Sequence, residues 1–312
     1  MEFLKEFKVI GLKEYKSFVK EQRSSTLISP NELTNRSFME LDYQKQNEDF
    51  FSNNASAIIE ALRISNWDLY LGIETSFTQM MLKHLIENDN HISNLNGKDA
   101  AIYFAEEYPE HIYNLALSNT QSRRSRAGKE FESIIEVVLL GAGIRLDSQG
   151  KIGKELFSNK GLGKLVDLVT PGVVEFSINK NNTALISAKT TLRERWQEVP
   201  EEMSRTGASK MYLATLDECI TKDTLKNIYE QNIVIVTTKN NKENYYPSDN
   251  NVITFERLIK NCKFIEDEWN DYHYSEKEVD LIKKHLIQQC NKSGSNRFII
   301  ERYESFINNI DR

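Results

Sequence analysis

The hydrophobic positions of this chain change their period about halfway along it. From Ala55 to Leu62, and again from Ser65 to Glu87, apolar residues recur at helical spacing. Leu69, Phe77, Met80, Met81 and Leu85 are the candidates for the buried face. Gly97–Tyr108 predicts another helix, and residues 1–54 are polar with short helical patterns around Pro30. In residues 119–140, Phe131, Ile134, Ile135 and Val138 again keep helical spacing. Beyond Gly141, a turn leads towards a short strand near Asp147, and runs of strand length take over. These are Leu165–Val169, Thr183–Thr190, Lys210–Asp217 and Ile233–Thr238, bounded by Gly, Pro, Asn or charged residues. Helical patterns lie between and after them, at Thr221–Gln231, Thr254–Asn261, Glu276–Gln289 and Phe298–Asn308. Leu192, Trp196, Val199 and Met203 share a helix face, predicting a helix over 191–206 that stops at Gly207. Pro200 argues instead for a kink, or for a helix that starts there. Strands alternating with helices predict an α/β sheet. The pattern therefore divides the chain into an α-rich N-terminal region, 1–118, and an α/β core with C-terminal helices, 119–312.

Composition narrows the class. With 312 residues and 39% hydrophobic content, the chain can bury one large core or two small ones. The formal net charge of −6 argues against a non-specific nucleic-acid binder, which is usually basic. Any DNA contact must come from a local basic cluster. The three cysteines, Cys219, Cys262 and Cys290, are far from metal-ligand spacing and read as reduced thiols of a cytoplasmic protein. No apolar run approaches membrane-spanning length, and the mixed charged and apolar start is not a secretory signal. The five histidines show no ligand spacing, which predicts surface or packing roles. Gly161-Leu162-Gly163-Lys164 lacks the length and context of a phosphate-binding loop.

Two charges interrupt otherwise apolar runs. Asp167 sits between Val166 and Leu168, and Lys189 ends Ala184-Leu185-Ile186-Ser187-Ala188. Side chains alternate along a strand, so Leu165, Asp167 and Val169 share one face, as do Leu185, Ser187 and Lys189. If the two strands pair, a carboxylate and an ammonium converge at their ends. Glu201 and Glu202 follow Pro200 in the next helix. Two carboxylates and a lysine are the parts needed to hold a divalent cation and activate water against a phosphodiester. The plain alternative is a buried ion pair that links two strands. Upstream, Arg123, Arg124, Arg126 and Lys129 form the densest positive cluster of the chain. They read as the entrance to the helix that carries Phe131. Cations there oppose the helix dipole unless an anion such as DNA phosphate lies against them.

One set of residues resembles a known family. Asp167, then Ser187-Ala188-Lys189, then Arg193-Glu194-Arg195 and Glu202 are similar to the type II restriction endonucleases of the EcoRII, SsoII and PspGI group, within the PD-(D/E)xK superfamily. The commoner superfamily pattern has an acid two residues before the lysine, where this chain has Ser187; that departure is itself typical of the group. The group also has an entrance like Arg126-Ala127-Gly128-Lys129 and an acidic residue one turn on, matching Glu132, which otherwise simply faces solvent. The match covers roughly Arg123 to Asp217, about a third of the chain.

The resemblance implies a central mixed β-sheet flanked by helices. It also implies a Mg²⁺-dependent endonuclease that cuts double-stranded DNA at a short site with CC and GG half-sites around a central base pair. Asp167, Glu202 and the Ala188 carbonyl would ligate the metal, with Lys189 at the attacking water and scissile phosphate. Arg193, Glu194 and Arg195 would read bases, since arginine pairs with guanine O6 and N7 and a carboxylate accepts from cytosine N4. Members related to SsoII extrude the central bases between an arginine and a tryptophan four residues apart, a spacing matched by Arg63 and Trp67. The plain alternative for Trp67 is a core residue beside Leu69. Group members act as two-fold dimers, so a homodimer and a cognate DNA methyltransferase as genetic partner are implied. A structure-specific or repair nuclease, and a non-cleaving DNA-binding protein, are the competing expectations.

Overall fold

The helical periodicity of the first half folds as a few long helices. A computed structural model describes residues 10–162, 166–192 and 197–310, with residues 198 and 202 described by their backbone alone. In chain order, this half comprises α1 (Leu12–Thr26), α2 (Pro30–Glu40), α3 (Glu48–Glu87), α4 (Gly97–Glu107) and α5 (Pro109–Gly141). The two helical runs expected over 55–62 and 65–87 are one helix, α3, with a non-helical backbone only at Asn54.

The chain forms two compact units, each drawn from two stretches. One contains Asn66–Ala127 together with the described residues up to Leu33. The other contains Thr34–Ser65 and the residues from Gly128 onward. The core of the first unit is built from Tyr15, Val19, Phe77, Met81, Leu85, Tyr108 and Leu115. Phe77, Met81 and Leu85 are thus buried as expected, whereas Met80 is 37% exposed and Leu69 only half-buried. They fall just off the buried stripe.

The basic cluster is not a helix entrance. Helix α5 begins at Pro109, a residue suited to a first helical position, and runs unbroken to Gly141. Arg123 to Lys129 therefore lie in mid-helix, where no unsatisfied N–H groups or dipole end exist. The polar run Ser118–Ser122 suggests a break, but its side chains have other uses. Asn119 accepts from Arg23 at 2.5 Å and donates to Thr78 at 2.9 Å within the first unit. Phe131, Ile134, Ile135 and Val138 are all buried.

The second unit is organised by a six-stranded sheet. Its elements are β1 (Asp147–Ser148), α6 (Gln149–Ile152), α7 (Lys154–Asn159), β2 (Leu168–Thr170), α8 (Val173–Ile178), β3 (Ala184–Lys189), α9 (Glu198–Thr206), β4 (Met211–Thr215), α10 (Lys222–Glu230), β5 (Ile233–Thr237), α11 (Lys239–Tyr245), β6 (Val252–Thr254), α12 (Phe255–Asp267), α13 (Glu276–Asn291) and α14 (Arg297–Ile310). The strands lie in sequence order. The pairs β1–β2 and β2–β3 are antiparallel, and β3 to β6 run parallel. The mixed sheet flanked by helices matches the expected fold class.

Alternation along the strands separates two cores. Leu168, Ala184, Ile186, Ala188, Tyr212, Ala214 and Val236 join one apolar cluster with Phe131 to Leu140 of α5 and residues of α12, α13 and α14. Val169, Leu185, Met211, Leu213, Ile233 and Ile235 join the other, with Phe176, Val199, Met203 and Ile228. Helix α9 starts two residues before Pro200, so the proline occupies the first turn, where its missing N–H costs nothing. Gly207 ends it in a left-handed conformation, φ 66°. Leu165, expected to open β2, and Trp196, expected in the helix before Gly207, lie outside the described residues.

Glu266 on α12 holds a strained charge. Its Oε1 accepts the Arg145 backbone N–H at 2.6 Å, yet burial pushes the carboxyl up to about 7. The folded chain keeps this proton at pH values where the unfolded chain, near 4.3, has lost it. The contribution to stability is therefore greatest below the unfolded value and is lost as pH rises through about 7. Glu266→Gln should raise the melting temperature near pH 8, and raise it less near pH 5. Equal shifts at both would contradict the assignment.

Candidate active site

The antiparallel register of β2 and β3 places a carboxylate against a lysine. Leu168 pairs with Ile186, so Asp167, one residue before β2, lies across from Ser187. The Asp167 backbone N–H donates to the Ile186 carbonyl at 2.9 Å, which extends the pairing to this position. The Asp167 carboxylate turns towards the end of β3. Its Oδ2 accepts the Ala188 backbone N–H at 2.7 Å and the Lys189 Nζ at 3.1 Å. Lys189 also donates to the Ala188 carbonyl at 3.0 Å. Both charged residues are buried, at 7% and 9% exposure. Burial pushes the Asp167 carboxyl above its usual range, against the pull of Lys189.

A second carboxylate faces this pair from α5. Burial first, and then the nearby Asp167 charge, push the Glu132 carboxyl up to about 7, while Lys189, Lys129 and Lys154 draw it down. Helix α5 is set in place by a buried network one turn further on. Glu136 pairs with Lys151 of α6 at 2.6 Å and accepts from the Tyr303 hydroxyl at 3.0 Å. Lys151 also donates to the Ser293 Oγ at 2.8 Å. The neighbouring Gln149 clamps the approach to β2, with its N–H on the Asp167 carbonyl at 2.9 Å and its side-chain amide on the Val166 carbonyl at 3.0 Å. The strand end and the helix are thus tied to the same short segment.

The structure brings Asp167, Ala188, Lys189 and Glu132 together. Ser187, fully buried, carries a hydroxyl with no hydrogen-bond partner on the strand face it shares with Lys189. Position 202 lies on α9 three residues after Val199 and four before Thr206, both fully buried. Glu201 points outward and pairs with Arg205. The Glu202 side chain, and all of Arg193, Glu194 and Arg195, lie outside the described residues. Among the described residues, no three carboxylate, imidazole or thiolate side chains form a ready metal cluster. Lys154, exposed at the start of α7, was not singled out in the sequence; it lies close enough to both carboxylates to draw them down. Nothing in its local pattern marks it, because only the β1–β2 pairing brings α7 to this end of the sheet.

Elsewhere, Arg124 and Lys129 are exposed on α5. Arg123 pairs with buried Glu74, and Arg126 packs over the Tyr70 ring at 4.6 Å. Arg63 is exposed on α3. Trp67 is 46% exposed and so is not the core residue that its neighbour Leu69 suggests.

The chain as a whole is similar to known restriction endonucleases. The profile of the family described as EcoRII C terminal matches residues 97–259. The type II restriction enzyme SsoII of Shigella sonnei is 47% identical over 292 residues, which is 94% of this chain and 95% of that enzyme. Metal-depleted Ecl18kI in complex with uncleaved, modified DNA has a TM-score of 0.89 at 44% identity, over 96% of this chain and 99% of that one. The restriction endonuclease PspGI in its substrate DNA complex shares the fold, with a TM-score of 0.60 at 17% identity, over 80% of this chain and 97% of that one.

The buried pair makes a stability prediction that is independent of any reaction. Removing one partner of a buried ion pair leaves the other uncompensated, at a cost of about 3–5 kcal/mol, whereas removing both can be nearly neutral. Asp167→Asn and Lys189→Met should each lower stability in urea unfolding, and the double variant should lose less than the sum. Additivity within about 0.5 kcal/mol would show that the two charges do not depend on each other.

Proposed function

The chain belongs to the EcoRII C-terminal family and is a type II restriction endonuclease; we propose that it makes Mg²⁺-dependent double-strand cuts at a short site with CC and GG half-sites around a central base pair. The observation that carries this reading is the buried Asp167–Lys189 pair at the end of the sheet, faced by Glu132. The donor set fits a hard divalent cation. It consists of oxygen atoms, the Asp167 charge raises the proton affinity of the neighbouring Glu132 carboxyl, and the buried Ser187 hydroxyl has no partner. A cation there would relieve that repulsion.

Asp167, Glu202 and the Ala188 carbonyl would hold the ion. Bound there, Mg²⁺ supplies Lewis acidity toward water and the scissile phosphate. Lys189, already tethered to Asp167, presents its ammonium where the attacking water and the phosphate meet. Glu132, with a carboxyl poised near neutral pH, accepts or returns a proton at the same end of the sheet. Arg193, Glu194 and Arg195 follow β3 directly and read two adjacent G·C pairs per subunit. Arg124, Arg126 and Lys129 contact phosphates and set the register. Arg63 and Trp67, one turn apart on α3, take the extruded central base between a guanidinium and an indole, both of which stack on a flat base. A site built on two like half-sites requires two-fold symmetry in its reader, hence a homodimer. It acts on unmodified DNA in the cytoplasm, with a cognate DNA methyltransferase as its genetic partner. No described helix is long and apolar enough to cross a membrane.

Plasmid cleavage with and without Mg²⁺ tests the activity. Asp167→Ala, Lys189→Ala and Glu202→Ala should each lower the cleavage rate by at least about 10²-fold while specific binding survives. Near-wild-type cutting by Asp167→Ala would remove the assignment. Wild-type cutting by Glu202→Ala, with loss in Glu201→Ala, would move the second carboxylate by one position.

Base reading has its own signature. Arg193→Ala should cost about 1–3 kcal/mol of discrimination between matched and substituted half-sites. Uniform weakening on every sequence would mean that Arg193 touches phosphate.

A further inference from the structure

Arg123 belongs by sequence to the basic cluster on α5, but its contacts set it apart from the rest. Its Nε donates to both oxygens of Glu74 on α3, at 3.1 and 2.8 Å, and its terminal nitrogen pairs with the same carboxylate. Glu74 is 2% exposed and also accepts from the Tyr70 hydroxyl at 2.9 Å. The guanidinium, gripped on its edge, lies over the Trp67 ring, with Cζ 5.3 Å from the centroid. Tyr70 is itself covered on one face by Arg126.

A buried carboxylate does not release its counter-charge without leaving an uncompensated ion behind. Arg123 is therefore committed to Glu74, and a guanidinium held this way is poorly suited to neutralise a DNA phosphate. It lies instead against an indole that is half exposed and has Tyr70 as its neighbouring ring, at 6.4 Å between centroids. A stacked cation favours one placement of the ring, and a ring already in place loses less freedom when a base arrives.

We infer that Arg123, fixed by Glu74, is a positioning residue for Trp67: it packs one face of the indole and leaves the opposite face to receive the extruded central base. This rests on the base-extrusion reading given above. Glu74, Arg123 and Trp67 then act as one unit, in which the carboxylate sets the guanidinium and the guanidinium sets the ring.

The test uses full-length protein bound to duplex DNA carrying 2-aminopurine at the central position, with Ca²⁺ to prevent cutting. Arg123→Met, Arg123→Lys and Glu74→Gln should all move the fluorescence of the complex towards the Trp67→Ala value. The lysine variant separates the two roles, because it keeps the charge and loses the planar stack. A phosphate contact would survive in Arg123→Lys, and in Arg123→Met the slope of log affinity against log salt would fall by about 0.9. The positioning role predicts an unchanged slope. A wild-type fluorescence signal in Arg123→Lys with a reduced slope in Arg123→Met would overturn it.

A second readout does not depend on DNA. In protein labelled with 5-fluorotryptophan, the Trp67 fluorine resonance, assigned by its loss in Trp67→Phe, should shift in Arg123→Met and Glu74→Gln. No shift would overturn the brace itself. If that resonance shifts but Trp67→Ala leaves the 2-aminopurine signal unchanged, the extruded-base reading falls while the brace stands, and the positioning role falls with that reading. Arg123 is 44% exposed at its side chain, so its substitutions keep the test open should Glu74→Gln fail to fold.

Discussion

A lysine and an aspartate share a hydrogen bond inside the end of a β-sheet, and the rest of the second unit is arranged to keep that contact. Each ion alone would be costly to bury, by several kcal/mol after relaxation. Together they are held by the backbone, because Asp167 Oδ2 takes the Ala188 N–H as well as the Lys189 ammonium. The contact needs the antiparallel pairing of β2 with β3 in this register, since a slip of one strand by one residue would turn its charge to the face opposite its partner's. It also marks a change in the sheet, for β3 is antiparallel to β2 and parallel to β4.

Around that contact the fold supplies rigidity through polar groups as much as apolar ones. The Glu136–Lys151 pair, the Tyr303 hydroxyl and the Gln149 amide tie α5, α6 and the start of β2 to one another. A buried network with its members satisfied fixes a geometry that an apolar core would leave free to repack. The consequence for function is that Glu132 and Asp167 are held near each other although their charges repel. That repulsion, which adds to burial in raising the Glu132 carboxyl, is the condition under which a divalent cation is most welcome.

Much of this was legible in the sequence. The two charges interrupting apolar runs pointed to Asp167 and Lys189, and strand alternation placed them together. The strands β3, β4 and β5 and the helices α10, α12, α13 and α14 followed from period and punctuation. The failures have physical causes. The basic cluster Arg123 to Lys129 reads as a helix entrance, but α5 runs unbroken from Pro109 to Gly141, and the polar Asn119 within it finds partners in Thr78 and Arg23. For Trp67 the plain alternative of a core residue is set aside, since it stands half exposed with a guanidinium against it. Lys154 and the buried network of Glu136, Lys151 and Tyr303 are long-range meetings that no local pattern announces. Short elements such as α6, α7 and β6 are set by tertiary packing and carry little periodicity of their own.

We propose that the end of the sheet at Asp167 is a cation site that the DNA complex completes. Counting Mn²⁺ bound to the protein–DNA complex by electron paramagnetic resonance tests it most directly. Tightly held Mn²⁺ is expected in the wild-type complex and is expected to be lost in Asp167→Asn, with DNA binding retained. Equal Mn²⁺ occupancy in the two complexes would contradict it.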